Sequence, residues 1–397
     1  MPAGALAAPL LSVLLLLRDG SAISAIKCST CVDQHGHAPP PADSGTELHL
    51  RPGRRPPVPF LAEVPLRGVN VTGNDLLLPI MTANVDYLLT SFDIDHMLLP
   101  FRNRAGLPAP GGSRPQNSWD DGLRGSNAGR FLMGAGNTLR WLPDPALHAM
   151  LTRVIDGIDA CENKSAGYSL AFEPAAMLHS EQGDYARSWF TQGLIEAGKA
   201  GNNKAFPLVR RLYDWFNSAD KNTAQAYLYD GVSNGEQGHI ASTRVYLETP
   251  GSKWDDAQVA QDVYRDDLWL SQLAARNTSA VTWYHMPRPN HPHCYLITGF
   301  IAFFDQYRST GNSTYLEAAR GAMAMLQENY VHIDGTSALV EGSFREQNMP
   351  RVYRILPFSG TGETCCTAFW IKFLQRFHLL EPVRTVSLES SHLPCKS

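Results

Sequence analysis

The chain has 397 residues, with 34 basic against 38 acidic side chains and a formal net charge of −4. That balance leaves no electrostatic footprint for nucleic acid or for an anionic membrane surface. The length admits one large domain or two ordinary ones, and 44% hydrophobic residues supply ample material for a core.

Residues 1–25 read as a secretory signal peptide. Ala3 to Leu17 is mostly apolar, and small residues suited to a cleavage site follow at Ser21, Ala22, Ser24 and Ala25. The run is short for a membrane span, so no transmembrane segment beyond the signal is expected. Asn-x-Ser/Thr sequons at Asn70, Asn163, Asn277 and Asn312 fit a secreted or lumenal glycoprotein. Residues 26–65 are Pro-rich (Pro39-Pro40-Pro41, Arg51-Pro52-Gly53-Arg54-Arg55-Pro56-Pro57) and read as a linker or extended arm.

Ordered sequence spans 66–380, and its period is helical. Leu76, Leu77, Ile80, Met81, Val85 and Leu88 predict a helix over Asp75 to Leu89. Asp184 is a candidate N-cap for a helix carrying Tyr185, Trp189, Phe190 and Leu194, which stops at Gly201-Asn202. Further helices are predicted from Lys204 to Phe216, over 256–275, from Tyr295 to Arg308 and from Tyr315 to Tyr330. Helix, Gly-Asn turn, helix recurs at 195–206 and 308–315, with Gly suited to the left-handed cap. Residues 220–250 are ambiguous and leave short strands open. Helical hairpins of this kind predict an all-α solenoid or α/α toroid, and no Rossmann or P-loop glycine pattern supports nucleotide chemistry. Residues 381–397 are polar and unpatterned, as in a disordered tail.

The residues suited to chemistry fall mostly between helices. They are Arg102 and Arg104, the Trp119 to Gly125 run with Arg124, Glu236 to His239, His291-Pro292-His293-Cys294, Glu341 with Glu346 as its neighbour, and Glu363-Thr364-Cys365-Cys366. A carboxylate and thiols this close are plausible zinc ligands, soft sulfur beside a carboxylate oxygen. Cys-Cys pairs in secreted chains also enter disulfides, and Cys366 reads equally as a third ligand or a buried thiol. The seven cysteines form no dense disulfide ladder, and Cys28-x-x-Cys31 suits a local disulfide.

From Leu66 to Leu380 the chain resembles the catalytic domain of glycoside hydrolase family 127, the β-L-arabinofuranosidases. The anchors are Leu99-Pro100-Phe101-Arg102 with Ala105-Gly106-Leu107-Pro108, Trp119 with Leu123-Arg124-Gly125, Thr310-Gly311-Asn312 with Tyr315-Leu316, and Glu363-Thr364-Cys365. The resemblance implies an (α/α)6 barrel and a retaining hydrolase with a zinc-associated cysteine. It places zinc on Glu363 and Cys365, with Cys366 beside them. Glu341 becomes the general acid/base, and His239, His293, Trp119 and Arg124 contact an oligosaccharide or glycan. The implied substrate is a non-reducing terminal β-L-arabinofuranosyl group or a related sugar.

The chain departs from the family pattern in three respects. The family's attacking cysteine belongs to a later adjacent pair with no counterpart here, and its C-terminal β-sandwich domains are expected to be absent. Ser126 and Arg130, and also Trp189, occupy positions that are commonly His. The alternative reading is therefore a carbohydrate-binding pseudoenzyme or an incomplete chain. A toroid polysaccharide lyase would need an Arg-lined uronate site, which the sequence does not display.

Overall fold

The computed structural model describes residues 58–61, 77–110, 123–162, 167–177, 185–218, 244–245, 247–249, 267–281, 296–332, 335–337 and 364–382. Among these residues the regular structure is helical, with one isolated antiparallel bridge between Val331 and Ser337. In the ambiguous 220–250 stretch, residues 244–245 and 247–248 are helical. The chain divides into two compact units. One comprises residues 1–54 and 65–265, the other residues 55–64 and 266–397.

The first unit contains α1 (Leu77–Ser91), α2 (Ile94–Arg104), α3 (Ser126–Trp141), α4 (Pro145–Glu162), α5 (Arg187–Lys199) and α6 (Ala205–Ser218). The predicted first helix is displaced by two residues at each end, within ordinary fraying of helix termini. Asp93 caps α2, its Oδ1 accepting from the backbone N–H groups of Asp95 and His96 at 2.9 and 3.1 Å. Two sequence anchors meet at the end of this helix. Phe101 is fully buried, its ring 5.5 Å from that of Phe190, and a Cβ on Gly125 would lie 3.0 Å from the Phe101 ring. Gly125 has φ +86°, so both its conformation and its neighbour require glycine. The Leu-Pro-Phe-Arg and Leu-Arg-Gly motifs are thus two sides of one packing contact.

The central packing of this unit is α3 against α5, and glycine makes it possible. A Cβ on Gly129 would sit 2.5 Å from the Phe190 backbone nitrogen, and one on Gly136 would sit 2.6 Å from the Glu196 backbone. Gly193 faces the Gly129 carbonyl with equally little room. The two backbones therefore touch directly, and Phe131, Leu132, Leu194 and Ile195 fill the flanks without residual exposure beyond 1%. The predicted stop at Gly201-Asn202 is a Schellman ending: Asn202 N–H donates to Ala197 O at 3.1 Å and Gly201 has φ +99°. Asp184 lies outside the described residues. Helical backbone continues from 185 into α5, and Ala186 at the cap position makes no side-chain capping bond.

A buried ionic cluster ties Arg244 and Glu248 to α5. The Arg244 side chain, 2% exposed, donates to Gln192 Oε1 at 3.2 Å, to Glu248 at 2.8 and 3.1 Å, and to Glu196. Arg140 reaches Glu196 Oε2 at 3.0 Å, and Lys199 pairs with Glu248. Burial pushes the Glu196 carboxyl up, but the nearby Arg244, with Lys199 and Arg140, outweighs burial and the repulsion of Glu248. The resulting pKa is about 2. Burial would lower the Arg244 pKa, yet Glu248 and Glu196 together raise it above the ordinary arginine value.

The second unit contains α7 (Asp267–Ala274), α8 (Leu296–Thr310), α9 (Ser313–Asn329) and α10 (Thr364–Leu380). The expected α8–α9 hairpin turns where Gly311 takes φ +70°, and Asn312 Oδ1 caps α9 by accepting from Thr314 N–H at 3.0 Å. Aromatic rings join α8 to α10. Phe304 lies 5.1 Å from Phe373 and edge-on to Phe377 at 5.7 Å, and Trp370 stacks on Phe373 at 5.6 Å. The α7–α9 contact again rests on glycine, because a Cβ on Gly321 would run into the Leu273 carbonyl.

Part of the Pro-rich arm belongs to this unit. Val58 N–H donates to Arg308 O and Leu61 N–H to Leu379 O, both at 2.7 Å, so the arm satisfies last-turn carbonyls of α8 and α10. The Phe60 ring lies beneath the Arg308 guanidinium at 3.7 Å, and the fully buried Asp305 pairs with Arg376 at 2.9 Å. Among the described residues no helix is long and apolar enough to cross a membrane.

Two predictions follow from this packing. Gly129→Ala should cost about 3 kcal/mol or more because backbone, not a flexible side chain, blocks the added methyl. Gly134→Ala, whose Cβ would meet only Leu88 at 3.4 Å, should gain about 0.5–1 kcal/mol from helix propensity. Urea-unfolding midpoints compare the two. The depressed Glu196 pKa contributes stability above pH 4.5 that is lost as pH falls toward 2. Glu196→Gln should therefore destabilise by about 3–5 kcal/mol at pH 7, and unfolding curves of variant and parent should converge as pH drops through that window.

Candidate functional site

The thiols begin α10. Cys365 is half-buried and Cys366 fully buried, and neither is in a disulfide. Two consecutive helical residues point about 100° apart, which separates their sulfurs by direction. Cys366 Sγ lies 3.2 Å from Ser337 Oγ, and Ser337 N–H donates to Thr367 Oγ1 at 3.2 Å. The turn that brings Ser337 there is closed by His332 N–H to Thr336 O at 2.8 Å and by Gly335 at φ +83°. Cys366 is thus engaged with the protein interior, while Cys365 keeps solvent access.

Cys365 is not consumed by a disulfide, so its sulfur is the described atom that could ligate a metal such as zinc. Glu363 and Glu341, the other halves of the expected site, lie outside the described residues, as do His239, His293 and Trp119. Among the described residues no three His, Cys, Asp or Glu side chains gather as a metal-binding group. Arg124 is described. It is exposed two residues before α3 and, among the described residues, makes no ion pair. Arg102 does find a carboxylate, Asp95, at 2.7 Å.

Two features escaped the sequence reading. Arg130 packs its guanidinium over the rings of Tyr185 and Trp189, at 5.3 and 5.5 Å from their centroids, and donates to the Tyr185 hydroxyl. The i, i+4 spacing of Tyr185 and Trp189 was visible, but the approach of Arg130 to them across the Gly129 contact was not. His332 places Nε2 in a buried position with no hydrogen bond among the described residues. A lone histidine in a loop gave no signal of its own.

A family model described as the β-L-arabinofuranosidase GH127 catalytic domain matches residues 69–386. The chain belongs to this family. Among solved structures, a GH127 β-L-arabinofuranosidase from Geobacillus stearothermophilus T6 aligns with TM-score 0.52 and 13% identity, covering 77% of this chain and 50% of that one. Another, a GH127 β-arabinofuranosidase, aligns with TM-score 0.58 and 15% identity, covering 80% and 51%. At such identity the likeness shows the fold alone, which is the all-α, α/α-barrel class expected from the sequence. The chain spans about half the length of these GH127 structures. A comparison with curated proteins returned no match.

The contrast between the thiols is measurable. In the native GH127 chain, iodoacetamide should modify Cys365 at least roughly tenfold faster than Cys366. Cys161 should also resist, because burial pushes its thiol pKa up against the pull of Arg104 and Arg102. Peptide mass spectrometry over a time course reads all three.

Proposed function

We propose that this GH127 chain is a retaining glycoside hydrolase acting on non-reducing terminal β-L-arabinofuranosyl groups or a related sugar. The family match over residues 69–386 carries the reading, and the solvent-accessible thiol of Cys365 at the start of α10 supports it. In this mechanism Glu341 protonates the departing glycosidic oxygen and then takes a proton from the water that completes hydrolysis. Glu363 and Cys365 would hold zinc, which when bound would keep a sulfur as thiolate at neutral pH. His239, His293, Trp119 and Arg124 would orient the sugar. Passage through the secretory pathway belongs to the same proposal, and the described sequons at Asn277 and Asn312 are exposed as glycan attachment requires.

A second reading, sugar binding without turnover, has its own observations. Cys366 is fully buried against Ser337, so its sulfur does not present itself as a nucleophile. Arg130 and Trp189 are occupied with each other at positions the resemblance assigns to histidines.

Release of L-arabinose from a chromogenic β-L-arabinofuranoside separates the two. The hydrolase reading predicts turnover, zinc near one equivalent, and a loss of about 100-fold or more in kcat for Glu341→Gln. Saturable arabinose binding with neither zinc nor turnover would establish the second reading.

A further inference from the structure

A cleft of about 270 Å³ opens in the second unit, lined by the polar Arg276, Arg320, Gln327 and Glu381 and the apolar Met323, Ala324 and Phe377. Its volume lies just below the range of drug-sized pockets, roughly 300–1,000 Å³, so it suits one small molecule and not a chain. The polar groups form an ordered array. Arg320 is held between two carboxylates, donating from Nε to Glu381 Oε2 at 3.3 Å and pairing through its terminal nitrogens with Glu381 and Glu317. Arg276 reaches Glu317 only at 3.5 Å and stays 54% exposed, which leaves most of its donors available. The half-buried Gln327 amide makes no hydrogen bond among the described residues and offers both a donor and an acceptor.

Arg276 is also out of place by the ordinary rules of helix endings. It follows α7 at the left-handed position, with φ +58°, where Arg276 N–H donates to Leu273 O and Asn277 N–H to Gln272 O, both at 2.9 Å. That Schellman position favours glycine, and a side chain there is held at a conformational cost. The weak bond to Glu317 offers little in return. The cost is understandable if the guanidinium serves a ligand.

The charges identify the class of ligand. Two guanidiniums are balanced by the Glu317 and Glu381 carboxylates, so the cleft has no net charge to attract an anion. Planar donors and acceptors sharing a cleft with the apolar Met323, Ala324 and Phe377 instead match a ligand with both hydroxyls and C–H surface. We propose that this cleft binds a neutral sugar unit, a single pentose or hexose, as a subsite about three helical turns along α10 from Cys365. The choice of sugar rests on the hydrolase reading above.

Calorimetric titration of the full chain with L-arabinose tests this, using Arg276→Gly, Gln327→Ala and the parent protein. A subsite at this cleft predicts that each substitution weakens one binding event at least roughly fivefold. Arg276→Gly should melt at or above the parent temperature, because glycine relieves the left-handed residue. Excess inorganic sulfate should not displace the sugar. Unchanged arabinose binding in both variants, no binding at all, or displacement by sulfate overturns the proposal. Hydrolysis of a chromogenic arabinofuranoside is read in parallel and should be unaffected by Arg276→Gly. Turnover with variant-insensitive binding leaves the hydrolase reading intact and removes the cleft. Variant-sensitive binding without turnover does the reverse.

Discussion

Direct contact between the backbones of α3 and α5 is the constraint on which the first unit depends. Gly129 and Gly193 face each other with no space for a Cβ, and Gly136 repeats the approach two turns along α3. Close approach of this kind exchanges side-chain volume for backbone contact and fixes the crossing to within a fraction of an ångström. Its consequences reach both ends of the helices. At one end it sets Arg130 over the Tyr185 and Trp189 rings. At the other it puts Glu196 within reach of Arg140 and Arg244, so Arg244 is fastened to the same helix pair.

Much of this architecture was readable from the sequence, for physical reasons. Helical periodicity and the Gly-Asn turns located the hairpins because left-handed caps admit few residues besides glycine and asparagine. The short motifs at Leu99 to Arg102 and Leu123 to Gly125 pointed to the family, and their structural meaning is a shared contact between the Phe101 ring and Gly125. The α3–α5 approach was not readable. Glycines at 129, 136 and 193 fall inside helical patterns, where sequence treats them only as weak helix formers. Nor did the Pro-rich composition of the arm reveal that Val58 and Leu61 would satisfy the ends of two helices, since that role is carried by backbone N–H groups.

The chemistry was legible unevenly. Glu363-Thr364-Cys365-Cys366 was conspicuous because thiols and a carboxylate are rare neighbours, and the structure distinguishes its two sulfurs through burial and Ser337. Arg276 was invisible, because nothing in Ala274-Ala275-Arg276-Asn277 announces that an arginine will occupy a left-handed helix ending beside a cleft. Partners distant in sequence, such as Arg276 with Glu317 and Arg320 with Glu381, exist only after folding.

The central claim is that a glycosidase centre is assembled around the start of α10. The most direct measurement is a crystal structure of the full chain soaked with L-arabinose, with diffraction recorded at the zinc absorption edge. The account predicts an anomalous peak bonded to Cys365 Sγ and the Glu363 carboxylate, with the sugar's anomeric carbon facing Glu341. A Cys365 without metal, together with a Glu341 carboxyl remote from any bound sugar, would contradict it.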